Sequence, residues 1–285
     1  MNALAHLDPV GLDEIVAEAA LLTRVDRKYV VPRAALEHVL GGLADGTRVL
    51  EIDGERRFVY ESMYFDTPDL LSFHMAAQPR RRRFKLRTRA YVDTGAAYLE
   101  MKTRGARGAT VKERDAYDIT RRDELTVDAR ADVADAFPAI GVAPDRADDL
   151  DAVLKTGYRR TTLLAPDGAS RATVDTDLTW LGADGSGFLL PGLAIVETKS
   201  GARASDVDRL LWRAGLRPAI VSKYATGLAA LRPDLPRNRW ARLLRGAFAE
   251  TERAALPQSA APGIRPTYSP TTSPRTEEEP CSPAA

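Results

Sequence analysis

The chain has 285 residues, 44% hydrophobic and 28% charged, with a formal net charge of +1. These values exclude a collagen-like, coiled-coil or wholly disordered chain and leave enough apolar material for a large core. The single cysteine, Cys281, excludes an internal disulfide, no Cys/His cluster offers a structural zinc site, and no apolar run approaches the ~20 residues of a membrane helix.

Charge is distributed unevenly. Between Arg80 and Arg114 there are twelve Lys/Arg against three acids, Asp93, Glu100 and Glu113. Acids gather instead at 145–151 and 277–279. A neutral chain with one intensely basic region points to a local anion site, not to general adhesion to nucleic acid. The N-terminal segment carries acids and no basic stretch, so it is not a secretory signal, and a soluble cytoplasmic protein is expected.

Taken in chain order, residues 12–22 have helical spacing and 24–31 alternate as a strand. Pro32 stands where a helix begins, and the glycines at 41 and 42 stop it. Residues 47–52 and 57–64 read as strands, and Asp66 to Asp69 as a turn or short helix. Residues 83–92 and 97–103 are strands joined at Asp93-Thr-Gly, with a further turn at 105–108 and a strand at 109–117. A helix is expected over 122–137, then strands at 155–164, 172–178 and 193–199. Ser205, with Asp206 and Asp208, caps a helix running to about 216. Further helices are expected at 222–231 and 238–255. Residues 257–285 hold seven of the eighteen prolines with Ser, Thr and a Glu triplet, the composition of a disordered tail. The expectation is one folded domain over 1–255 and a tail over 256–285. Most consecutive strands lack helical crossovers, so the fold is α+β with an antiparallel barrel of at least eight strands.

Strand parity carries the chemistry. Alternate residues of a strand share a face. Arg83, Lys85, Arg87 and Arg89 share one; so do Tyr98, Glu100, Lys102 and Arg104. Lys112 and Arg114, Tyr158 and Arg160, and Ile195, Glu197 and Lys199 form further sets, and Arg171, Thr173, Asp175 and Asp177 another. Two arrangements produce this pattern: a solvated outer face, or a barrel lumen lined with charge and packed outward under helices. In the second, converging cations demand an anion. Arginine matches phosphate oxygens and stays charged, so the ligand would be a polyanion of several phosphates. Glu100, Asp175 and Glu197 would then hold a divalent cation bridging phosphate and protein. The single histidines have no motif context, and the tryptophans read as packing anchors. P-loop, GxGxxG and HExxH motifs are absent.

The ordered segments RKY (27–29), FDTP (65–68), KLRTR (85–89), LEMKTR (99–104), VKER (111–114), YRR (158–160), RATVDTDL (171–178), ETKS (197–200) and SKY (222–224) resemble the VTC domain, the polyphosphate polymerase domain of the CYTH-like triphosphate tunnel superfamily. The resemblance implies an eight-stranded antiparallel tunnel with inward basic residues. It implies transfer of the terminal phosphate of ATP to polyphosphate, with Mn2+ or Mg2+ as cofactor. Candidate catalytic residues are then Lys28, Arg87, Arg89, Lys102, Arg160 and Arg171. Candidate substrate ligands are Lys85, Lys112, Arg114, Tyr158, Lys199 and Lys223. Glu197, with Glu100 and Asp175, is the candidate metal set. The implied partners are ATP and polyphosphate, without nucleic acid. The chain carries no membrane segment, though a membrane partner protein is compatible with the family. RVDRKY stands where related hydrolases and cyclases carry an alternating Glu-x-Glu-x-Lys strand, which favours the polymerase branch. Two other functions fit the same lining: a tripolyphosphatase with water as acceptor, and a non-enzymatic polyphosphate or nucleotide sensor.

Overall fold

Alternation of apolar and charged residues, repeated strand after strand, builds one long antiparallel sheet. The computed structural model describes residues 4–19, 25–105, 110–249 and 252–255. In chain order the elements are β1 (Asp8–Val10), α1 (Leu12–Ala19), β2 (Val25–Pro32), α2 (Arg33–Gly41), β3 (Arg48–Leu50), β4 (Phe58–Asp66), α3 (Leu71–Ala77), β5 (Arg83–Tyr91), β6 (Ala96–Arg104), β7 (Thr110–Tyr117), α4 (Val127–Ala136), β8 (Asp151–Leu164), β9 (Ser170–Gly182), β10 (Ser186–Leu190), β11 (Leu193–Ser200), α5 (Asp206–Arg213), α6 (Lys223–Leu231), α7 (Ala241–Arg245) and β12 (Glu252–Ala255).

Eight strands pair edge to edge in the order β2, β11, β9, β8, β4, β5, β6, β7, every ladder antiparallel. The sheet curls until its ends face one another: Lys102 on β6 lies in the field of Asp26 and Lys28 on β2. Among the described residues no ladder joins β7 to β2, so hydrogen bonding does not close the wall along that seam. Outside the tunnel wall, β10 and β12 continue from the second half of β9, and β3 joins β8 to β1.

Which face of the wall looks inward follows from where the helices lie. The apolar parity of β5 and β6 (Phe84, Leu86, Leu99, Met101) packs under Ala129, Val133 and Phe137 of the α4 region. The apolar parity of β2, β9 and β11 (Tyr29, Val31, Val174, Val196) packs under Leu36, Leu40 and Leu211 of α2 and α5. Both covers lie outside, so the charged parity faces the lumen. β5 shows this residue by residue: Phe84, Leu86, Thr88 and Ala90 are buried, while Arg83, Lys85, Arg87 and Arg89 are half-buried.

Two buried carboxylates fix the helices. Asp208, at the third position of α5, completes a capping box with Ser205 and accepts from the hydroxyls of Tyr29 (2.7 Å) and Thr198 (2.6 Å). Asp66, ending β4, accepts the backbone N–H groups of Thr67, Ser72 and Phe73 and the hydroxyl of Tyr224. It thereby ties α3 and α6 to the sheet. Helix α6, capped by Ser222, lays its small residues on Trp180, whose Nε1 donates to the Lys223 carbonyl at 2.7 Å. Tyr64, Tyr158, Trp180, Phe188, Tyr224 and Leu228 form one apolar cluster there.

Several expectations are corrected. The helix expected over 238–255 is a 3-10 turn (Asn238–Trp240) followed by the short α7. Gly246, at φ −108° and ψ −109°, ends α7, and Phe248 turns back against Trp180 and Phe188. β12 then extends the edge of β10; neither strand is evident in the sequence pattern, nor is β1. The helix expected from 122 starts at Val127, because Thr126 caps it and Asp118 caps a separate 3-10 turn before it. α5 stops at Arg213, short of 216. Asp177 does not share a face with Asp175. It sits at φ 53°, opposite a register shift between Gly157 and Arg159. The bulge reverses the parity of β9. Asp177 turns to Arg57, Arg33 and Arg159, while Leu178 and Trp180 join the Tyr158 cluster. The expected tail over 256–285, and residues 20–22 and 106–108 of the expected first helix and turn, lie outside the described residues.

Gly227 tests the seating of α6. A Cβ at this position would collide with Cδ1 and Nε1 of Trp180. Gly227→Ala is expected to destabilise the protein by about 1–3 kcal/mol, read as a lower denaturation midpoint. An unchanged midpoint would show that α6 is not seated on Trp180.

Candidate active site

The lumen is a set of cations held apart by a few acids. Glu100, 3% exposed on β6, receives two hydrogen bonds from Arg87, with Nε at 2.8 Å, and one from Lys112 at 3.1 Å; Arg89 lies 3.8 Å away. Asp175, 1% exposed on β9, is gripped by Arg160 through Nε at 2.6 Å and Nη2 at 2.8 Å, and by Lys223 from α6. Glu197 on β11 is paired with Lys28 from β2 and with Lys199 at 2.6 Å. Cations outweigh burial in each case and hold the carboxyl below its usual range; Asp175 falls to about 2.

The three clusters lie within electrostatic reach of one another. Tyr64 on β4 lies in the field of Arg87, Lys85, Arg89 and Lys223, linking the Glu100 and Asp175 groups. Lys85 donates to Ser222, the cap of α6, at 2.9 Å, and faces Arg87, Lys28 and Lys102. Lys102 in turn sees Lys28, Lys199 and Glu197. Arg171 stands opposite Lys199 in the β9–β11 register. Tyr158 stacks on Tyr60 with centroids 5.4 Å apart, and Lys223 lies 4.2 Å from its ring. Arg114 lies 3.6 Å over the Tyr98 ring and donates to the Tyr91 hydroxyl at 3.2 Å.

The candidate cations of the wall therefore share its charged parity and Lys223 reaches the lumen from α6, but the candidate acids are not brought together. Among the described residues no group of three His, Cys, Asp or Glu side chains could hold a metal ion. Glu100 and Asp175 are occupied by guanidinium groups and serve to position them. Glu197 differs: its partners are two lysines, compact charges on flexible stems that can move to a phosphate. The donor set does not make a protein cage. It fits an ion shared between one carboxylate and substrate phosphates, the usual arrangement for Mg2+ and its analogues.

Sequence parity missed four contributors. Tyr60, Ser62 and Tyr64 alternate on β4 and could have been read as the lumenal set; Asp26, two residues before Lys28, could have been read likewise. Several buried lumenal atoms lack a hydrogen-bond partner among the described residues: the Tyr158 hydroxyl, Arg89 Nε, Ser62 Oγ and Thr173 Oγ1. Unpartnered buried polar groups are costly, and a bound anion with its waters would satisfy them.

The VTC domain family model matches residues 23–232. The chain belongs to the VTC domain family. The match covers the tunnel wall and stops at the end of α6, so every lumenal residue described above lies inside the VTC domain. No curated protein sequence gives a significant match. Among solved structures, a proposed adenylate cyclase from Bacillus halodurans aligns at TM-score 0.44 and 10% identity, over 70% of this chain and 94% of that one. A proposed adenylyl cyclase from Hippeastrum, described as having a dominant triphosphatase activity, aligns at TM-score 0.45 and 15% identity, over 76% and 99%. Likeness this distant does not bear on what the VTC domain binds.

A pH dependence follows from the lumen's crowding. Burial, reinforced by Arg87, Lys28 and Lys102, lowers the Lys85 pKa to about 8. Burial opposes ionisation of Tyr64, but the surrounding cations prevail and bring it also to about 8. Below that pH Lys85 is charged and Tyr64 neutral, the state that favours an anion; above it Lys85 loses its charge and Tyr64 gains a negative one. Tripolyphosphate affinity is expected to fall roughly tenfold from about pH 7 to about pH 9, and a Lys85→Met/Tyr64→Phe variant should lose most of that dependence. Calorimetric titration across pH checks this; an unchanged profile in the variant would refute it.

Proposed function

We propose that this VTC domain is a polyphosphate polymerase, transferring the terminal phosphate of ATP to the end of a polyphosphate chain within the tunnel. The observation that carries the reading is the length of the cationic lining. Along β5 alone, cations recur from Arg83 to Arg89, about 20 Å at the ordinary rise of a strand. Lys102 stands beside Lys85 on the neighbouring β6, and Lys28, Lys199 and Lys223 continue the lining from β2, β11 and α6. A single triphosphate needs fewer contacts than this; a triphosphate meeting a second phosphate chain end to end uses them all.

In this reading Arg87, Arg89, Arg160 and Lys223 bind the triphosphate, and the rigid pairs with Glu100 and Asp175 keep the guanidinium groups aimed before substrate arrives. Lys28, Lys85 and Lys102 hold the acceptor chain end in line. The bond between the terminal phosphorus and its bridging oxygen breaks, a bond forms to a terminal oxygen of the chain, and the nucleoside diphosphate leaves. No strong general base is required, because the acceptor oxygen is already anionic. The cations stabilise charge that spreads over the transferring group. A divalent ion, Mn2+ or Mg2+, when bound, supplies further neutralisation of the phosphate oxygens, and Glu197 would hold it. Hydrolysis with water as acceptor is the second reading. It is supported by α6, whose packing on Trp180 and Tyr64 fills one side of the interior and narrows the path for a chain.

Incubation of the purified protein with ATP and Mn2+, with assay of both products, separates the two readings. Long-chain polyphosphate supports polymerisation; free phosphate alone supports hydrolysis. Glu197→Gln is expected to reduce turnover at least ~100-fold, the scale of losing one transition-state stabiliser, while ATP still binds. A variant that retains wild-type turnover and manganese response would remove Glu197 from the metal role.

A further inference from the structure

The arginine run at 80–83 is only partly used by the tunnel. Arg83 is lumenal, one step of the β5 alternation beyond Lys85, about 7 Å along the strand. It stands directly opposite Arg104 on β6, and the turn before α7 brings Arg239 to the same place, held by a hydrogen bond to the Ala76 carbonyl at 2.9 Å. Like charges directly opposed across a ladder destabilise a sheet. Here burial and the neighbouring Arg104 and Arg239 also lower the Arg83 pKa. Beyond Arg83 the chain leaves the wall, and Arg80, Arg81 and Arg82 are exposed around a cleft of about 430 Å³ lined also by Met75, Ile140 and Gly141. Gly141 turns there at φ 73°, and a Cβ on it would strike Arg82 Nη1, so the guanidinium lies over the glycine. Among the described residues no carboxylate pairs with Arg81, Arg82, Arg83 or Arg239.

We propose that this arginine cleft is a second polyanion site, outside the tunnel, which receives the polyphosphate chain as it passes Arg83 and Arg104. The inference rests on the polymerase reading for the identity of the chain, and on geometry for its path. Helix α6 and its aromatic cluster pack chiefly on β8, β9 and β10 and meet β5 where Lys85 donates to the Ser222 cap, while cations recur along β5 from Arg87 through Lys85 to Arg83. Single-stranded nucleic acid is the less suitable ligand, because none of the residues lining the cleft is aromatic and bases would find no stacking platform. Functionally, a cleft of this kind retains a growing chain between transfers, so that long chains are held more tightly than short ones.

The test is an Arg81→Ser/Arg82→Ser variant of the full chain; both side chains are exposed, and neither contributes to the core. Affinity is measured for tripolyphosphate, for long-chain polyphosphate and for an oligothymidylate of matched phosphate number, each across a salt series. Tripolyphosphate affinity should be unchanged. Long-chain polyphosphate should bind roughly tenfold more weakly, with the slope of log affinity against log salt reduced by about 1 to 2, the share of two lost phosphate contacts. Undiminished long-chain affinity would overturn the proposal, as would an equal loss for tripolyphosphate. Oligothymidylate bound by the wild type as tightly as polyphosphate would assign the cleft to nucleic acid. These measurements need no turnover, so a wild-type protein that binds long chains in the cleft but makes none would refute the polymerase reading alone.

Discussion

Mutual repulsion of cations inside the curled sheet is the constraint on which the structure depends. Lysines and arginines from β2, β5, β6, β8, β9, β11 and α6 converge in the partly buried lumen, where the effective dielectric is below that of water, and those of β7 stand exposed at its edge. Without counter-charge this arrangement would oppose folding. Glu100 and Asp175 are placed where the density of positive charge is greatest, each buried and each shared by two or three cations. They leave the lumen strongly positive while preventing the walls from separating. Removing one such partner from a buried network costs about 3–5 kcal/mol in comparable cases, so these acids are part of what holds the fold together.

The rest of the molecule supports that compromise from outside. Helices α2 and α5 cover the apolar reverse of β2, β9 and β11, and α4 covers that of β5 and β6. Burial there offsets the electrostatic cost within. The Asp66 and Asp208 hubs act differently. They satisfy backbone and hydroxyl groups at element ends and fix helix positions, and they stand apart from the cationic lining. α6 links the two systems, since Tyr224 binds Asp66 and Lys223, one residue earlier, binds Asp175. The orientation of a helix is thereby coupled to the cationic lining.

Much of this was legible in the sequence because strand periodicity is local. The alternation in RFKLRTRAY and YLEMKTR is enough to place Arg87, Arg89, Glu100 and Lys102 on one face. Which face looks inward is not local, since it depends on where α4 and α2 pack, and parity alone left both possibilities open. The bulge at Asp177 was hidden for another reason: an aspartate in a left-handed conformation leaves no sequence mark distinct from an ordinary turn-former. β10 and β12 were missed because short edge strands have little alternation, and the helical spacing after Asn238 continued past Gly246. The separation of the acids was also out of reach, because Glu100, Asp175 and Glu197 look equivalent in sequence until their partners are known.

A lumen so charged should bind a phosphate polyanion in preference to other anions. Thermal unfolding of the wild-type protein in rising concentrations of tripolyphosphate tests it most directly, with sulfate at matched ionic strength as the comparison. A ligand that binds only the folded state contributes about 2.7 kcal/mol at a hundredfold excess over its dissociation constant. The midpoint is expected to climb steadily with tripolyphosphate and far less with sulfate. A midpoint that tripolyphosphate does not move, or that both anions move equally, would contradict it.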